Sequence, residues 1–132
     1  DLSVTGWNIQ ALKAAVLTGI SIDGSDKAIE YVKKCQDPSG KFVYKIGQVG
    51  KPSLTGTGVL SLQIWKNAKS EQAKKGLEWI AANQKKEWKD VNVYEWYYHA
   101  QACFQATGIS SGSKYWKAWN KDFQQIVCDA QN

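Results

Sequence analysis

The feature that most constrains the fold is a repeat. Residues 27–42 read KAIEYVKKCQDPSGKF. They set out a lysine and a small residue (Lys27, Ala28), an aromatic–aliphatic pair (Tyr31, Val32) and a glutamine (Gln36), then a loop with Pro38 and Gly40 that closes on Phe42. Residues 75–84, KGLEWIAANQ, return the same order with Lys75, Gly76, Trp79, Ile80 and Gln84. Residues 123–131, FQQIVCDAQ, form a degenerate third copy with Ile126 and Val127 in the paired positions. From Gln36 to Gln84 is 48 residues, and from Gln84 to Gln131 is 47. A period of this size is that of stacked supersecondary units, none of which buries its apolar face alone.

The pattern between the copies is helical. Residues 5–18 place Trp7, Leu12, Ala15 and Val16 at helical spacing, and Gly19 is placed to stop the helix. A second helix is expected from a cap at Ser25 or Asp26 to about Cys35. Residues 37–53, rich in Gly, Pro and polar residues, read as a long connection in which Phe42, Val43 and Tyr44 are extended. Further helices are expected over about 54–66, 70–84, 93–106 and 114–130, with a polar connection over 85–92 interrupted by Trp88. The helices pair into three hairpins, at about 5–44, 54–92 and 93–132, within one domain over 1–132. The first helix of each pair is nearly free of charge, Lys13 being the only lysine between Thr5 and Thr18. The first helices are therefore expected to form an inner layer and the second ones an outer, lysine-bearing layer.

Charge narrows the classes of partner. The net charge is +5, and all seventeen basic residues are lysine. Bidentate recognition of phosphate or guanine favours arginine, and these lysines are scattered, so a nucleic-acid partner is not expected. No apolar run is long enough to cross a membrane. The chain has no methionine and opens in mid-pattern at Asp1, which reads as a processed product or an excised piece and leaves localisation open. Cys35, Cys103 and Cys128 contain no CxxC and read as small buried apolar residues.

The repeated stretch resembles the repeat of the terpene-cyclase superfamily, the squalene–hopene and oxidosqualene cyclases. That repeat orders a basic residue, a small residue, an aromatic, an aliphatic, a glutamine, a short loop, a glycine and a tryptophan. Lys27, Ala28, Tyr31, Val32, Gln36, Gly40 and Phe42 fill it, with Phe in the Trp position. The second copy lacks the glycine, and Trp88 stands for its terminal aromatic. The resemblance implies an all-α fold made of three helical hairpins of an (α/α) toroid, about half of a full barrel. The glutamines would tie adjacent outer helices together, with the aromatic ring stacked on the amide. The inner faces would be covered by other hairpins of a parent protein or by a second copy of the chain.

The family's chemistry does not come with the scaffold. Cyclases open an inner helix with D-x-D-D-T-A, whose central Asp donates the proton. Here Asp1 and Thr5 match, but Ser3 and Val4 hold the two acid positions, so no catalytic residue is assigned, and Asp1, like Ser3, reads as an N-cap or a loop residue. Prenyltransferase β-subunits share the architecture and carry a zinc-ligating His in a setting similar to that of His99, with Cys103 one turn on. Their Asp-x-Cys pair has no match here, and zinc needs three or four ligands. No cofactor is expected, and His99 reads as a hydrogen-bonded interior residue. Complement-type thioester domains need Cys-Gly-Glu-Gln, which Cys35-Gln36 does not supply. The remaining signal is aromatic density. Trp7, Tyr94, Trp96, Tyr98 and His99 lie on or near inner helices and are the candidates for lining a pocket for an apolar small molecule. The plainer account, which is preferred, is that these rings are the core of a helical repeat.

Overall fold

A computed structural model describes residues 1–131; Asn132, the last residue of the third expected hairpin, lies outside them. Among the described residues there are six α-helices and no strand: α1 (Leu2–Leu17), α2 (Ser25–Lys34), α3 (Pro52–Ile64), α4 (Glu71–Ala82), α5 (Val93–Gln105) and α6 (Ser113–Asp129). No helix is long and apolar enough to cross a membrane.

Local chemistry sets the helix ends. Asp1 starts α1 three residues earlier than expected, because its carboxylate accepts the Val4 amide at 3.0 Å. Gly19 follows the C-cap with φ +92°, as expected of a helix stop. Gly24, in the left-handed region, replaces Ser25 or Asp26 as the N-cap of α2. Pro52 opens α3, where a missing N–H costs nothing. Ser70 caps α4 through the Ala73 amide, and Asn92 caps α5 through that of Glu95. Trp88 to Asp90 form a short 3-10 turn within the expected polar connection.

Helix α3 is the centre of the molecule. It packs on α1 on one side, α5 on the other, and α2 and α4 behind. Residues 54–62 are all buried, including Thr55, Gly56, Thr57, Gly58 and Ser61. Small residues allow this close approach. A Cβ at Gly56 would meet the carbonyl carbon of Tyr98 at 2.6 Å and the amide nitrogen of His99 at 2.7 Å, so α3 and α5 touch backbone to backbone. The three helices run parallel, since contacting positions rise together: Gly6 lies against Thr57 and Trp65 donates to the Ile9 carbonyl; Gly56 lies against Tyr98 and Gln63 donates to the Ala102 carbonyl. Thus α1, α3 and α5 form one layer, with α4 and α6 as neighbours in the other.

The repeated glutamines join successive helical pairs. The Gln36 amide donates to Gly40 O at 3.0 Å and to Gln72 O of α4 at 2.8 Å. Gln84 donates to Trp119 O of α6 at 3.4 Å. Gln72 stands twelve residues before Gln84, and Trp119 twelve before Gln131, so the two bonds are made at the same place in the repeat. Gly40, at φ +91°, takes a left-handed conformation in the loop that Gln36 pins, and its Cα lies close to the Lys75 carbonyl. Phe42 makes isolated β-bridges to Gln36 and Lys51, and its ring lies against Gly58 and near Gly76. Trp88, which stood for the second copy's terminal aromatic, is half exposed and packs edge-on to Trp96.

Candidate functional site

The five aromatic candidates divide between two sides of α5. Trp7, Tyr94 and Tyr98 come together on the side where α1 and α5 meet over α3. The Trp7 indole N–H donates to the Tyr98 hydroxyl, the Ser3 and Tyr94 hydroxyls are hydrogen-bonded at 3.0 Å, and the Tyr94 and Tyr98 ring centres are 5.0 Å apart. Positions 3 and 7 thus pair with 94 and 98 in register, one turn apart on both helices. Ser3, which stands in the acid position of the cyclase motif, is one partner in these cross-links. Asp1 is occupied as the α1 cap and by the Tyr44 hydroxyl at 2.9 Å. The depression bounded by Trp7, Gln10, Tyr97 and Tyr98 is shallow.

Trp96 and His99 point the other way, toward the second helices. Trp96 packs edge-on to Trp119 at 5.7 Å between ring centres and against Phe123 at 5.2 Å. His99 lies edge-on to Trp79 and Trp119. Two residues are enough to cause this split. On a helix, positions 94 and 98 share a face, while 96 and 99 lie around the other side. Aromatic density alone does not register that difference; counting the period along α5 would have found it.

His99 is a buried, hydrogen-bonded residue. Its Nε2 lies 3.1 Å from the Pro52 carbonyl and therefore carries the proton as donor. Nδ1 is then the bare nitrogen, and Glu95 Oε1 lies 3.9 Å from it, too far for a hydrogen bond. Burial lowers the His99 pKa to about 4. Burial raises that of Glu95, with the Lys85 charge opposing. Glu95 was not singled out from the sequence; a lone acid among nine aromatic and apolar residues in an inner helix was the available signal. Cys103 is also buried, and its thiol is pushed up to about 12 by desolvation. An apolar setting of this kind opposes the thiolate that zinc requires. Among the described residues no cluster of three or more His, Cys, Asp or Glu could hold a metal ion. Cys35 is buried as expected, but Cys128 is exposed near the end of α6, on the side of that helix turned away from the buried Trp119.

The neutral state of His99 makes stability depend on pH. The unfolded imidazole titrates near 6.5 and the folded one near 4, so the unfolded chain binds more protons between these values. Stability is therefore full above about pH 6.5 and falls as the pH drops toward 4. The His99 contribution to this loss is about 2 kcal/mol between pH 7 and pH 5. Glu95 acts in the opposite sense, since its raised pKa favours the folded state on acidification. Urea unfolding across this range checks the result. His99→Gln, which keeps a donor for Pro52 but has no titration, is expected to flatten the dependence. An equal slope in wild type and variant would assign the effect elsewhere.

A more enclosed feature lies at the outer edge of the third hairpin. Trp88, Trp96, Tyr97, Gln101, Phe123 and Val127 contribute to a largely apolar cleft of about 330 Å³ between α5, α6 and the preceding connection. Comparison of the chain with family models, with curated proteins and with solved structures finds no match.

Proposed function

We propose that this chain is a non-catalytic helical-repeat segment of the (α/α)-toroid type, and that it works by association through its inner helices. The observation that carries the reading is a contrast between like helices. Helix α3, nearly free of charge, is buried along residues 54–62 between two neighbours. Helices α1 and α5 have one such neighbour each. On their other sides they expose apolar residues, among them Val4 at 56 %, Val93 at 67 % and Tyr97 at 59 %. A helix apolar on most of its circumference belongs in an interior, and contiguous exposed apolar surface is typical of an interaction site. The glutamine bonds, made at one place in the repeat, support the assignment to the toroid type. Occupation of Asp1 and Ser3 by cap and cross-links supports a scaffold role for that motif.

Light scattering on the eluting protein tests this. The expected mass exceeds the 14.7 kDa of one chain and rises with concentration. A strict monomer at all concentrations would overturn the reading. A second reading, an apolar small-molecule binder, is favoured by the cleft beside Trp88 and Trp96, whose volume lies at the lower end for ligand pockets. Native mass spectrometry of the freshly purified protein should then show a bound apolar compound, and its absence counts against this reading.

A further inference from the structure

We infer that the association is head to tail, with α1 of a second copy seated in the cleft at the α5–α6 edge. This rests on the reading of the chain as a self-associating repeat. Three observations lead to it. The first is continuity. Within the chain, α5 lies parallel to α3 and touches α4, the partner of α3. One step further on, the corresponding seat beside α5 and its partner α6 is the open cleft. The inner helix that would fill it is of the same kind as α1, α3 and α5.

The second is hydrogen bonding. Inner helices are joined by side-chain N–H groups that reach a neighbour's backbone carbonyl: Trp65 to Ile9 at 3.1 Å, and Gln63 to Ala102 at 2.9 Å. Gln101, on the cleft side of α5, has a buried Nε2 with no partner among the described residues. A buried donor left unpaired costs about 1–3 kcal/mol, and the carbonyl of a docked helix would remove that cost. The third is the shape of α1. On the side away from α3 it exposes Val4, Ala11 and Leu12 at helical spacing, with the uncharged Asn8 among them. On α5 the facing stripe is Val93, Tyr97, Ala100 and Phe104. Neither stripe carries a charge, so the contact buries none. A contact between two different surfaces is heterologous, and the rotation between copies determines whether it closes into a ring.

The test uses the two surfaces separately. Ala11→Glu changes the α1 surface and Tyr97→Glu the α5 surface; both positions are exposed in the single chain. Each variant alone is expected to keep its helical circular dichroism and to raise the dissociation constant about a hundredfold. An equimolar mixture should regain a two-chain mass, because the intact α5 edge of one variant meets the intact α1 of the other. Val4→Glu and Val93→Glu, both more than half exposed, form a second pair should either first variant fail to fold. If the wild-type chain is monomeric, both the association and this arrangement fall. If it associates but only one surface matters, or the mixture stays dissociated, the head-to-tail arrangement alone falls.

Discussion

Phe42→Ala is expected to lower the free energy of unfolding by about 4 kcal/mol. The side chain is fully buried. Its backbone is held on both sides, the amide by the Thr55 hydroxyl at 3.3 Å and the carbonyl by the Lys51 amide at 2.8 Å. Its ring lies against the backbone of α3 at Gly58 and near that of α4 at Gly76. Removing the ring leaves a void walled by two helices. These cannot close independently, because Gln36 fixes the loop to α4. A loss below about 1.5 kcal/mol in urea unfolding would mean that the site collapses freely, and the fastening role of the loop would be wrong. Phe42→Trp, which installs the aromatic usual in the repeat it resembles, is also expected to destabilise, by about 1–3 kcal/mol. The phenyl ring already occupies the space a Cβ on Gly58 would need, so an indole has nowhere to extend.

Gly56→Ala should reverse the usual sign of its substitution. In an exposed helix interior, alanine for glycine stabilises by about 1 kcal/mol. Here the new methyl group would lie 2.6 Å from a backbone carbon and 2.7 Å from a backbone nitrogen of α5. Neither atom can rotate away, so α3 and α5 must separate. The expected cost is about 2–3 kcal/mol. The same movement disturbs the His99–Pro52 bond and the packing of Trp96 of α5 on Trp119 of α6. Near-ultraviolet circular dichroism should therefore change along with the melting temperature. An unchanged or stabilised variant would show that the two helices are not in backbone contact.

The sequence by itself determined the period, the number and rough extent of the helices, and the residues that fasten one helical pair to the next. These are local properties. Apolar spacing, Ser70 as a cap, Gly19 as a stop and the Gln36 loop each act within a few residues of where they are written. Asp1 was legible as a cap or a loop charge, and its bond to the Val4 amide decides for the cap. Helix α3 was harder. Its run of Thr and Gly over 55–58 has little apolar periodicity, and its burial depends on what α1, Phe42 and α5 place against it. The candidate site was legible only as a list. Tertiary packing decided that Trp7, Tyr94 and Tyr98 meet between α1 and α5, that Trp96 and His99 face the second helices, and that Glu95 joins His99 in the interior. Composition records how many rings an inner helix carries. Which neighbour each ring meets depends on its angle around the helix and on the order in which helices stack. The glutamine at the end of each repeat can be read from the chain, but only the fold supplied its partner, a carbonyl twelve residues before the next one.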